Sequence, residues 1–222
     1  STHVGLRIIK DGRIGYAATT SLGKPAELVR MAVETAQFGQ EAKFQLPGAG
    51  AFPKVAIYDA KVETVSIDNM ARLGNEMIAA IRKHTPDIQC EGGVDKGVYA
   101  TSLINSRGGK ASFKTSVFSM GIEGNLVRGT DMLFVGESAS DCHPIAQSKQ
   151  MSDTVIKQLE MAKEIASVPN RPLPVIFTSN GVAGTLLGSL MAGFNGKIVL
   201  EGASPLGKRL GELVFDKKLS LW

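Results

Sequence analysis

Cysteine, histidine and tryptophan are scarce: 222 residues hold two Cys, three His and one Trp. Two thiols, Cys90 and Cys142, cannot staple a chain of this size, so a disulfide scaffold is excluded and a reducing, cytoplasmic setting is expected. His3, His84 and His143 stand far apart, and neither H-E-x-x-H nor H-E-x-x-x-H occurs. No helix therefore offers paired zinc ligands around a general base. A G-x-S-x-G elbow is missing as well, which removes one common nucleophile arrangement. No apolar stretch reaches the length of a membrane span, and the N-terminus lacks a signal-peptide core, so no membrane partner is expected. The 25 basic residues form no run and face 21 acidic ones, a net charge of +4. That is a mixed solvated surface, on which direct nucleic-acid binding is not expected.

What is present is ordinary globular material, 43% hydrophobic with 25 Gly and 9 Pro, enough for one large domain or two small ones. "VGLRIIKDGRIGYAATT" alternates on either side of Asp11-Gly12 and predicts a β-hairpin. Pro25 suits a first helical position, and Leu28, Val29, Ala32, Val33 and Ala36 follow at helical spacing. After the loop "QLPGAGAFPK", Ser66 is placed to cap a helix striped by Ile67, Met70, Leu73, Met77, Ile78 and Ile81. Beyond Pro86 the pattern turns to strands around Arg107-Gly108-Gly109, then "MLFVGES", then a helix from about Ile145 with Val155, Ile156, Leu159, Ala162 and Ala166 on one side. Hairpin-then-helix thus occurs twice, at 4–40 and 97–167, as an internal duplication would arrange it.

The class expected is α+β, antiparallel hairpins with helices packed on one face. Pro169, Pro172 and Pro174 mark a boundary, which separates an N-terminal domain, 1–168, from the start of a second one, 169–222. In the second, a strand at 175–178 is predicted, and "VAGTLLGSLMAGFNG" is apolar all round, as a helix buried or packed closely against another element would be. Both ends of the chain read as strands cut in mid-run, so a fragment of a longer protein is expected.

Candidate chemistry is thin. Gly202-x-x-x-x-Gly207-Lys208 follows the apolar run Ile198–Leu200, as in a phosphate-binding loop. Yet Arg209 stands where the magnesium-binding hydroxyl belongs, and Pro205 removes one N–H from the cradle. A loop-to-helix turn explains the glycines as well. Cys142-His143 could join a metal site with a distant partner, but adjacent residues more often point apart and serve structure. Asp131, Glu137 and Asp141 are loop acids without diagnostic spacing, and Cys90 reads as a half-buried strand thiol. No catalytic residue is assigned.

The order of the pieces is more informative than any one of them. "GLRIIKDGRIGYAATT", a helix ending in "AVETA", "SLINSRGG", "PVIFTSNGVAGTLL" and "SPLGKRLGE" before a hydrophobic strand together resemble the TldD/PmbA family over nearly the whole chain. That family is known as modulators of DNA gyrase and as zinc-dependent peptidases. The L-x-N-S-x-G turn with Asn105, Ser106 and Gly108, and the S-x-L-G-K-x-x-G-E loop with Gly207, Lys208 and Gly211, carry most of the likeness. The resemblance implies that these are structural or interface positions, with Gly207 and Gly211 as backbone necessities.

It further implies that TldD-like subunits bind zinc through H-E-x-x-x-H on the helix where this chain has Gly188, Ser189 and Gly193. None of the three can ligate zinc or act as the base, so the chain is similar to the PmbA (TldE) branch. The expected cofactor is none here, with zinc in a TldD-like partner subunit; a homodimer is the other assembly expected. The implied substrates are small or unfolded peptides, including microcin precursors and antitoxins. A β-rich C-terminal half is expected to follow. The alternative is a non-enzymatic, protein-binding regulator of DNA gyrase.

Overall fold

The computed structural model describes residues 1–220 and divides into two compact units, Ser1–Ile165 and Ala166–Trp222. In the first, strands β1 (Val4–Lys10) and β2 (Arg13–Thr19) form the predicted hairpin. Asp11 and Gly12 both have positive φ, 51° and 73°, as a two-residue hairpin turn matching the strand twist requires. Helix α1 (Pro25–Ala36) lies across it and buries Leu28 and Ala32 against Ala17, Leu6 and Ile8. The approach is close at Gly15, where a Cβ would stand 2.0 Å from the Ala32 carbonyl oxygen.

The larger sheet is a meander of β3 (Gln89–Ile104), β4 (Lys110–Arg128) and β5 (Asp131–Asp141), with β4 in the centre. Its register sets Val94 opposite Met120 and Gly124 opposite Val135. Because side chains alternate across a sheet, Phe118, Met120 and Ile122 share one face, and all three are buried. Two helices cover that face. Helix α2 (Lys61–Thr64) is a short lead-in to α3 (Ile67–His84), which contributes Leu73, Met77 and Ile81. Helix α4 (Ser148–Met161) contributes Met151, Val155 and Leu159. The predicted cap is present: Ser66 Oγ accepts from the Asn69 N–H at 3.1 Å. Helix α4 starts three residues later than the periodicity suggests, so Ile145 enters the core from the preceding turn and Ala166 lies beyond the helix.

The fold is thus α+β with helices on one face of each sheet. Its two hairpin-then-helix stretches differ in size: the second has a third strand and a helix ahead of it.

The second unit has no strand among its described residues. The expected strand at 175–178 and the one after Glu212 are both irregular chain. Apolar alternation supplies faces but not the neighbouring backbone that a strand needs for its N–H and C=O groups. Helical turns run instead through α5 (Ser179–Gly181), a π-helical stretch Val182–Leu187, α6 (Gly188–Phe194) and α7 (Gly196–Leu200). The apolar segment 182–194 is not buried as predicted: only Gly193 is.

Candidate functional site

Three places carry residues singled out above. The first is the turn between β3 and β4. Asn105 Oδ1 accepts from the backbone N–H groups of Arg107 (2.9 Å) and Gly109 (3.0 Å). Its Nδ2 donates to the Pro47 carbonyl at 2.9 Å. Asn105 therefore both shapes the turn and ties it to the long 45–54 loop. Gly108 takes a φ of 82°, which few other residues adopt, whereas Ser106 is simply exposed.

The second place is α6 with the loop that follows α7. Gly188 and Ser189 are exposed on α6, and Gly193 is buried, where a Cβ would stand 3.4 Å from Leu206 Cδ1 of the loop. Ser204 Oγ donates to the Gly193 carbonyl at 2.6 Å and accepts from the Leu206 N–H at 3.1 Å. Other loop N–H groups turn inward too, Gly207 to the Ser204 carbonyl (3.2 Å) and Arg209 to that of Leu206 (2.9 Å). They do not converge on a point where a phosphate could sit, and the run before the loop, Ile198–Leu200, is helical. The phosphate-loop pattern is coincidental. Gly211 has a φ of 85° and fits a backbone requirement. Gly207 has no positive φ; its constraint is the Ser204 carbonyl oxygen 3.3 Å from where a Cβ would lie. Lys208 is exposed.

The third place was not assembled by sequence reasoning. Strand β5 ends opposite Phe118, so β4 loses its neighbour there, and segment 56–59 comes alongside instead. Buried Ser116 joins the two. Its N–H donates to the Ile57 carbonyl (3.0 Å), while its Oγ accepts from the Asp59 N–H (2.8 Å) and donates to the Cys142 carbonyl (2.7 Å). Asp59 is thereby set beside the chain leaving β5, and its Oδ2 meets His143 Nδ1 at 2.8 Å. Asp141 Oδ1 accepts the His143 backbone N–H at 3.0 Å. One ligand-type atom each of Asp141, Cys142 and His143 lies within 4.8 Å of the other two. This is the one group of three or more His, Cys, Asp or Glu residues so placed among the described residues.

The electrostatics follow from these contacts. The His143 hydrogen bond, with the Lys61 N–H behind it, lowers the Asp59 carboxyl pKa. The His143 N–H does the same for Asp141. Burial, then the Asp141 carboxylate, pushes the Cys142 thiol up, so it is not an activated nucleophile. Nearby, Tyr58 donates to Glu63 at 2.7 Å, which raises the phenol pKa. The pairing of Asp59 with His143 spans 84 positions and has no local signal. Only the Asp-Cys-His succession itself was visible.

Comparison with known proteins places this geometry in context. Residues 1–36 match the family model described as PmbA/TldA metallopeptidase domain 1, and residues 170–222 match the PmbA/TldA metallopeptidase C-terminal domain. An uncharacterised protein of Methanocaldococcus jannaschii is 23% identical over 223 residues, covering 98% of this chain and 50% of its own length. The crystal structure of TldE from Thermococcus kodakarensis has a similar fold, with TM-score 0.73 at 19% identity, over 93% of this chain and 48% of that one. A candidate modulator of a DNA gyrase from Thermotoga maritima gives TM-score 0.80 at 15% identity, over 95% and 49% respectively. The chain spans about half the length of each of these relatives.

Proposed function

We propose that the chain, which matches two PmbA/TldA metallopeptidase domain models, is a PmbA/TldE-like subunit of a cytoplasmic metallopeptidase complex, without the catalytic zinc itself. The observation that supports this reading is the occupancy of the zinc-motif positions. Gly188, Ser189 and Gly193 sit on α6 in the matched C-terminal domain, and none brings an imidazole or a carboxylate. Zinc and the base that activates water would then come from a TldD-like subunit, and this chain would complete the walls that admit small or unfolded peptides.

An extended peptide would be held by strand addition, which needs an open sheet edge. The β5 edge is closed at Gly136, whose N–H and C=O are both taken by the Gln158 side-chain amide at 2.9 Å. The outer edge of β2 is taken at Ile14 by the Gln40 carbonyl and at Tyr16 by the Thr35 hydroxyl, which leaves the outer edges of β1 and β3 for a peptide. No helix of the described residues is long and apolar enough to cross a membrane.

The test is hydrolysis of an unfolded peptide by the full-length protein, alone and mixed with a TldD-like subunit from the same organism. Activity is expected in the mixture only, and a chelator should abolish it. Chelator-sensitive hydrolysis by the protein alone would overturn the reading. A stable complex with a gyrase subunit and no hydrolysis in either case would favour the regulator that the name of the Thermotoga relative suggests.

A further inference from the structure

We propose that Asp141, Cys142 and His143, supported by Asp59, form a binding site for a zinc-class divalent cation in the first unit, apart from the catalytic zinc of a partner. The donor set is a thiol, an imidazole and carboxylates. That mixture suits a borderline ion such as zinc or cobalt better than magnesium or calcium, which take oxygen alone. Three consecutive residues seldom aim at one point, yet here the turn after β5 gathers their donor atoms within 4.8 Å of one another. Bond lengths of about 2.0–2.3 Å put tetrahedral ligands roughly 3.3–3.8 Å apart, so the site closes by side-chain rotation of about an ångström.

Asp59 is the second observation. It arrives from a separate stretch of chain, is held by the Ser116 hydroxyl, and meets His143 Nδ1 at 2.8 Å with only 17% of its side chain exposed. A carboxylate on the outer nitrogen of a ligating histidine is the usual way proteins orient the ring and raise its basicity. The His143 side chain is 61% exposed, so an ion reaches it without unfolding anything. Binding would add a metal cross-link between segment 56–59 and the end of β5, which Ser116 and the Asp59–His143 hydrogen bond already join.

The experiment is titration of the tag-free, metal-stripped full-length protein with cobalt(II), followed by zinc competition. One equivalent of cobalt should produce a thiolate-to-cobalt charge-transfer band that zinc removes. Cys142→Ser should abolish the band and Cys90→Ser should leave it intact. Asp59→Asn should weaken binding by about 10–100-fold, the usual effect of removing a ligand's support, and His143→Gln, which removes a ligand itself, by more. Circular dichroism checks that each variant is folded. No thiolate band, a band that survives Cys142→Ser, or equal affinities in all folded variants would overturn the site. The readout needs no partner and no hydrolysis, so it stands or falls separately from the peptidase reading.

Discussion

The two units use similar residues to opposite effect. In Ser1–Ile165, large apolar side chains converge: Phe118, Met77, Ile81, Ile122, Val62 and Val155 are all fully buried. In the second unit Ile176, Leu200 and Leu210 are equally apolar and at least 89% exposed. The first unit also has, besides ion pairs within one helical turn, long-range ones that the described residues of the second lack. The first unit pairs His84 with Glu160 and His143 with Asp59 across 76 and 84 positions. The ion pairs of the second, Lys197–Glu201 and Arg209–Glu212, stay within one helical turn. Burial comes from convergence of several elements onto one face, and a sheet with two helices supplies it. A succession of short helical turns does not, whatever its composition.

The largest expected break in that comparison is Phe118→Ala, which should cost the chain about 3–5 kcal/mol, while Leu210→Ala stays within about 0.5 kcal/mol. Denaturant unfolding of the two variants measures both, and equal costs would mean that the second unit has a core after all. A middle-sized effect is expected at Asn105→Ala, which strands the N–H groups of Arg107 and Gly109 and frees Pro47. It should cost on the order of 1–2 kcal/mol. Hydrogen exchange should rise in the 45–54 loop as well as in the turn; a rise in the turn alone would deny the tie between them.

The smallest effect concerns acid. Asp59 is held below the ordinary carboxylate range by His143, Asp141 by the His143 N–H, and Glu160 chiefly by Lys163 and then His84. A pKa depressed on folding adds stability that is present above the unfolded value, about 4, and is lost as pH falls through the folded one. Melting temperature should therefore drop as pH falls below about 4, and Asp59→Asn should flatten that drop. Salt should shrink it too, because these groups are partly exposed.

Local features were legible where the physics is local. The Asp11-Gly12 turn, Pro25 at a helix start, the Ser66 cap and the α3 stripe all depend on residues a few positions apart, and the structure carries them, except that Ile67 in the first turn of α3 is exposed. The strands expected at 175–178 and after Glu212 depended on a partner that no short stretch can reveal. The phosphate-loop pattern failed for a related reason: spacing cannot say whether N–H groups point outward or at their own loop. The Cys142-His143 pair was visible as a possibility, but its companion Asp59 was not.

By itself the sequence determined the hairpin turn, the helix starts, the faces available for burial and, through the order of its motifs, a resemblance to a known family. Those rest on φ preferences, capping and periodicity, which act over a few residues. Tertiary structure alone decided which apolar faces found a core and that Asp59 meets His143 beside Cys142. Both depend on where β5 stops, because the vacant edge of β4 at Ser116 draws in segment 56–59 and brings its carboxylate to the turn.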